Sequence, residues 1–134
     1  MKILLIEDDE VFHAVITAAV ASQGHEITIV ANGDEGMKVL GSEKFDLIIT
    51  DILMPNKDGI EIIQEIRESD PNVRILAISS GGRVGFSSFL KLAEIMGANA
   101  CLEKPFSADG LIEKIAEAMT KPATNLRERA DAQR

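Results

Sequence analysis

A chain of 134 residues with 46% apolar and 27% charged side chains fits one globular domain with a single core. Its longest apolar runs, Ile3 to Ile6 and Leu47 to Ile49, fall far short of the ~20 residues a membrane span requires, and Met1-Lys2 leads directly into strand-like sequence rather than a signal peptide, so a cytoplasmic chain without membrane insertion is expected. The net charge is -8 and residues 121–134 carry four basic and two acidic side chains, which leaves about -10 on the preceding 120 residues; such a surface, without a basic stripe, disfavours direct nucleic-acid binding.

In chain order, KILLI at 2–6 reads as a strand that ends on Glu7-Asp8-Asp9. Val11, Val15, Ala18 and Ala19, three and four apart, read as one face of a helix that Gly24 closes. EITIV at 26–30 is the second strand, and Asn32-Gly33 turns into the second helix. FDLIIT at 45–50 is the third strand, followed by a helix carrying Ile60, Ile63 and Ile66 that stops at Pro71-Asn72. VRILAIS at 73–79 is the fourth strand, and Phe86 and Phe89 share a face of the fourth helix. The weaker ACL at 100–102 is the fifth strand, and Ser107 caps a fifth helix with Leu111, Ile115 and Met119. After Met119 the apolar rhythm stops, so residues 1–120 are expected to form the domain and 121–134 a polar tail, flexible, a helix extension or a partner-binding arm. Strict alternation of strands and helices, with strands too apolar for a wet face, predicts an α/β doubly wound parallel sheet.

In such sheets ligands bind beyond the carboxyl ends of the strands. The residues there are Glu7, Asp8 and Asp9 after strand one, Asp51 after strand three, Ser79-Ser80 after strand four and Glu103-Lys104-Pro105 after strand five. Taken singly, an acid after a strand often caps the next helix, which is the reading for Asp9. Taken together, carboxylates within ~4 Å of each other repel by ~4 kcal/mol per pair at an effective dielectric near 20, a cost that no structural role explains and that a divalent cation offsets. Oxygen ligands without histidine favour magnesium over zinc.

With these motifs in place, the chain resembles the response-regulator receiver domains of two-component signalling over roughly residues 2–119. The resemblance rests on ILLIEDD at strand one, LIITDILMPNKDG at 47–59, the hydroxyl of Ser79 and LEKPF at 102–106. It implies the flavodoxin-like strand order 2-1-3-4-5, a five-stranded parallel sheet with five helices. It implies that Asp51 is the phosphoacceptor, that Asp8 and Asp51 bind Mg2+ directly with the backbone carbonyl of Leu53 while Glu7 acts through water, and that Lys104 pairs with Asp51 and then with a phosphoryl oxygen. Ser79 is the residue whose hydroxyl would bond the phosphoryl group and draw the following loop inward. The implied donor is a phosphohistidine on a sensor histidine kinase or histidine phosphotransfer protein. The implied output is a repacked surface of helix four, strand five and helix five that binds an unidentified downstream protein, with dimerisation on phosphorylation as a further outcome. On this reading the chain is no classical enzyme but a signalling module that assists its own phosphorylation and dephosphorylation.

Several positions depart from the family pattern. Cys101 stands where receivers usually place an aromatic residue and is expected to pack as a small buried hydrophobe. As the only cysteine it also excludes an intramolecular disulfide or a cysteine zinc site. Residues 80–85 read SGGRVG, a connection rich in glycine that lacks a phosphate-loop signature. Leu53 and Gly81, at positions that tune acyl-phosphate lifetime in the family, cannot orient water, so slow self-dephosphorylation is expected. His13 and His25 are read as surface residues. Two other functions compete: a constitutive pseudo-receiver, against which the intact acids, Ser79 and Lys104 speak, and a magnesium-dependent aspartyl phosphatase, which would present an acid where Leu53 stands.

Overall fold

The computed structural model describes residues 1–52, 59–80, 93–94 and 96–122. The elements are β1 (Lys2–Ile6), α1 (Glu10–Ser22), β2 (Glu26–Val30), α2 (Gly33–Leu40), β3 (Leu47–Asp51), α3 (Gly59–Ser69), β4 (Arg74–Ser80), β5 (Ala100–Lys104) and α4 (Ala108–Thr120). All five strands are parallel and lie in the order β2-β1-β3-β4-β5, as the resemblance implied. Of the stretch expected to form a helix between β4 and β5, Ala93, Glu94 and Met96 are helical; Phe86, Phe89 and the segment Gly81 to Gly85 lie outside the described residues. No described helix is long and apolar enough to cross a membrane.

The strands are apolar on both faces because both faces are covered. Ile3, Leu5, Leu47, Ile49, Leu76 and Ile78 point into one layer with Ile16, Ala19 and Val20 of α1 and Leu111, Ile115 and Ala118 of α4. Their neighbours Leu4, Ile6, Ile48, Ile75 and Ala77 point into the other, against Ile62, Ile63 and Ile66 of α3. Each such side chain gains about 1.5–3 kcal/mol on leaving water, so the three central strands can be satisfied only between two helical layers. The edge strand β2 is half-exposed, with Ile29 open to solvent.

Local chemistry sets the helix ends. Asp9 caps α1, its carboxylate accepting from the Val11 amide at 2.8 Å, as the sequence reading assigned it. Asn32 caps α2 through the Glu35 amide at 2.9 Å, and Glu35 accepts in return from the Ala31 amide at 3.0 Å. Ser107 caps α4 through the Gly110 amide at 3.0 Å. Gly24, at φ +79°, ends α1 in the left-handed region that a side chain would strain. Gly36 lets α2 lie against β1: a Cβ there would stand 2.7 Å from Ile6 Cδ1.

The face of α1 differs from the expected one. Val11 is 69% exposed, and the buried stripe runs through Ile16, Ala19 and Val20. The helix is apolar around most of its circumference, so its own periodicity does not select the buried face; the sheet does.

At the amino ends of β4 and β5, opposite the acidic edge, Arg67 of α3 ties the segment leading into β4 to the one leading into β5. Its guanidinium donates to the carbonyls of Gly97 (2.9 Å), Asp70 (3.3 Å) and Val73, and to Asn99 Oδ1 (2.9 Å). Asn99 Oδ1 also accepts from the Ile75 amide at 2.9 Å, and its Nδ2 donates to the Lys121 carbonyl at 2.9 Å. The carboxyl end of α4 is thereby tied to the start of β4, with the site at the far end of the sheet.

Candidate functional site

The strand order places β3 between β1 and β4, so Glu7, Asp51 and Ser79 emerge side by side at the carboxyl edge. Lys104 is the last residue of β5, two strands from Asp51. Strands are spaced by ~4.8 Å, so roughly 10 Å separates the two backbones, a gap that a long side chain meeting a short acid closes. The Lys104 Nζ stands 2.9 Å from Asp51 Oδ2 and 2.9 Å from Glu7 Oε1. All three groups are buried. Asp8 is exposed, and one ligand atom each from Glu7, Asp8 and Asp51 lies within 4.8 Å of the others.

Burial lifts the Glu7 carboxyl from 4.5 to about 7; the hydrogen bond from Lys104 opposes that rise and the Asp51 charge adds to it. For Lys104, burial opposes the charged form, but the hydrogen bonds to Glu7 and Asp51 together with their charges outweigh it and hold the ammonium above its ordinary pKa. The cluster thus keeps a positive charge pinned between acids.

Two buried polar atoms have no hydrogen-bond partner among the described residues: Glu7 Oε2 and Ser79 Oγ. A buried orphan acceptor costs about 1–3 kcal/mol, more when charged, and both orphans lie at the carboxyl edge. An unfilled carboxylate oxygen beside two further acids, with no nitrogen or sulfur donor in the set, has the chemistry of a hard-cation site. The residues present therefore fit a divalent ion such as magnesium. Among the sequence-selected residues, Glu7, Asp8, Asp51 and Lys104 come together, Ser79 is buried on the neighbouring strand, and Leu53 lies outside the described residues.

Two participants were missed. Phe12 sits with its ring centroid 4.2 Å from Lys104 Nζ, and it packs on Phe106 with centroids 5.5 Å apart. His13 is half-buried instead of lying on the surface, its Nε2 hydrogen-bonded to the Glu7 carbonyl; His25, also half-buried, bonds the Met1 amine through Nδ1 at 2.8 Å. An aromatic residue in the first turn of an apolar helix reads as core, and nothing in the sequence pairs it with a lysine 92 positions away. Cys101 is half-buried, and burial pushes its thiol up to about 12, in keeping with a packing role.

Comparison with known proteins gives a consistent result. A family model described as the response regulator receiver domain matches residues 3–116. The DNA-binding transcriptional regulator NtrC of Azospirillum brasilense is 33% identical over 90% of this chain and 25% of its own length. The transcriptional regulatory protein GlrR of Escherichia coli is 30% identical over 93% of this chain and 28% of its own. The chain thus spans about a quarter of the length of these curated relatives. Among solved structures, a response regulator receiver domain protein from Clostridium thermocellum superposes with a TM-score of 0.78 at 28% identity, covering 88% of this chain and 93% of that one. A CheY-like receiver domain protein from Methanospirillum hungatei gives 0.76 at 27% identity, covering 88% and 92%. Five parallel strands in the order 2-1-3-4-5, the acidic edge and the family match over residues 3–116 agree: the chain belongs to the response regulator receiver domain family.

Proposed function

We propose that this chain is a phosphoacceptor switch, a receiver unit over residues 1–120 followed by a tail at 121–134, in which Asp51 takes a phosphoryl group from a phosphohistidine. The observation that carries the reading is the buried triad in which Lys104 Nζ bonds both Asp51 and Glu7 at 2.9 Å while Glu7 Oε2 has no partner among the described residues. A structural ion pair would satisfy its oxygens; this one leaves an acceptor open at a site lined with acids.

Glu7, Asp8 and Asp51, with the Leu53 carbonyl, would hold magnesium, which when bound would neutralise charge on the transferring oxygens. Asp51 supplies the nucleophile: a carboxylate oxygen attacks phosphorus, the phosphorus–nitrogen bond to the donor imidazole breaks, and the imidazole leaves with the electron pair and takes up a proton. The product is an acyl phosphate. Lys104 releases Asp51 Oδ2 and bonds a phosphoryl oxygen, its compact charge free to swing between acceptors. Ser79 Oγ, buried and without a partner among the described residues, donates its hydrogen bond to the modified group. That bond draws in the segment after β4 and changes the surface formed by the stretch between β4 and β5, by β5 and by α4, on which a downstream protein, or a second copy of the chain, would dock. Water later attacks the phosphorus and releases Asp51; with Leu53 and Gly81 unable to orient that water, the acyl phosphate is long-lived. The donor is a sensor histidine kinase or histidine phosphotransfer protein in the cytoplasm, and the acidic surface makes direct nucleic-acid binding by this unit unfavourable.

Intact mass after incubation with acetyl phosphate, with and without magnesium, tests the reading beside an Asp51→Ala control. A single magnesium-dependent adduct that the variant lacks supports it. No adduct on a folded chain would favour a constitutive binding module.

A further inference from the structure

An ammonium has three N–H donors. Lys104 Nζ donates to Glu7 Oε1 and to Asp51 Oδ2, each 2.9 Å away, and the Phe12 ring covers a further side, with 4.2 Å from Nζ to the ring centroid. Lys104 is 7% exposed, so little water reaches the charge. The ring is itself braced: Phe106 meets it at 5.5 Å between centroids with the planes 49° apart. Phe12 reaches this position because Asp9 caps α1 and starts the helix directly beyond the acidic residues.

We propose that Phe12 is a positioning residue for phosphoryl transfer, its ring holding the Lys104 ammonium against the carboxylates while leaving that ammonium able to change hydrogen-bond partner. The inference rests on the role given to Lys104 above. A third carboxylate at this side would bind the lysine too firmly to let it turn to a phosphoryl oxygen, and a water would compete for its protons. An aromatic face attracts a cation over its whole area through the ring quadrupole, without directing any one N–H. It therefore keeps the charge in place during the exchange of Asp51 Oδ2 for a phosphoryl oxygen. Apolar packing alone does not account for the arrangement, because the ring lies over a charge.

The test uses the full chain and the variants Phe12→Leu, Phe12→Trp and Phe12→Tyr. The rate of adduct formation from acetyl phosphate with magnesium is followed by intact mass. The ε-methylene proton resonances of Lys104 are followed by NMR, assigned by their loss in Lys104→Met. A methylene held over a ring face is displaced upfield of the other lysines. Phe12→Leu, which keeps apolar bulk, is expected to slow the adduct roughly fivefold, the size of one cation–π contact, and to return the Lys104 resonances to the ordinary lysine range. The Trp and Tyr variants, which keep a π face, are expected to retain both properties. A Leu variant at the parent rate, or parent Lys104 resonances with no upfield displacement, overturns the inference. A Leu variant that fails to fold leaves the decision to the Tyr variant and the parent resonances. If the parent takes up no phosphoryl group, the phosphoacceptor reading is what fails, and the resonances alone decide whether the ring holds the ammonium.

Discussion

Lys104 Nζ lies 2.9 Å from Asp51 Oδ2, with both side chains buried and the two residues 53 positions apart in the chain. Such a pair does not stabilise a fold by itself, because desolvating two charges offsets most of their attraction. Removing one partner is costly, and which partner is removed matters. Lys104→Met strips the compensation from two buried acids and is expected to cost about 3–5 kcal/mol. Asp51→Asn keeps an acceptor for the lysine and removes one of the crowded negative charges, so its stability in metal-free solution should match or exceed that of the parent. Urea unfolding with a chelator present measures both; an Asp51→Asn chain less stable than Lys104→Met contradicts the electrostatic account.

Glu7 ties stability to pH. Its folded-state pKa is raised to about 7 from 4.5, so between those values the folded chain keeps a proton that the unfolded chain has lost. The associated stability is present below pH 4.5 and is lost as the pH rises through 7. In metal-free solution Glu7→Gln should remove a decline on the order of 3 kcal/mol between pH 5 and 8. Parallel stability–pH curves for parent and variant in that window would show that Glu7 ionises normally.

Arg67 is expected to matter at the opposite end of the sheet. Its guanidinium serves the carbonyls of Gly97, Asp70 and Val73 and the side chain of Asn99, and Arg67→Ala would leave several of these acceptors without a donor. A loss of about 2–4 kcal/mol in urea is expected, given about 1–3 kcal/mol for each buried group left unsatisfied. Arg67→Lys should recover little, since one ammonium cannot reproduce the planar fork. Phosphorylation of Asp51, if the chain remains folded, should proceed near the parent rate, because the clamp stands far from the site.

Cys101 should be chemically quiet in the folded chain. Burial raises its thiol to about 12, so the thiolate fraction at pH 9 is on the order of a thousandth, against about half for an ordinary thiol. Alkylation by iodoacetamide at pH 9 is expected to be slower than in urea by at least two orders of magnitude. Comparable rates would place the thiol in an open, polar setting.

How much of this was legible in the sequence varies by element. The three central strands were readable because each carries a continuous apolar run, and such runs need helices on both faces wherever they fold. The caps at Asp9 and Ser107, and the turn at Asn32-Gly33, were readable because a side chain bonding an amide two or three residues on is a local event. The acidic set at Glu7, Asp8 and Asp51 was readable from its places after strands and from the family motif, and the geometry gathers it within 4.8 Å. The buried face of α1 was not readable, since Val11 and Ile16 are equally apolar and only the sheet distinguishes a residue at 69% exposure from one at 0%. Nor was the contact of Phe12 with Lys104, or that of Arg67 with Asn99, because each joins side chains from distant segments. Periodicity and capping are properties of neighbours along the chain, and the sequence by itself determined those. Which side of a helix meets the sheet, which ring covers a charge and which acceptor is left open depend on long-range packing, and only the tertiary structure decided them.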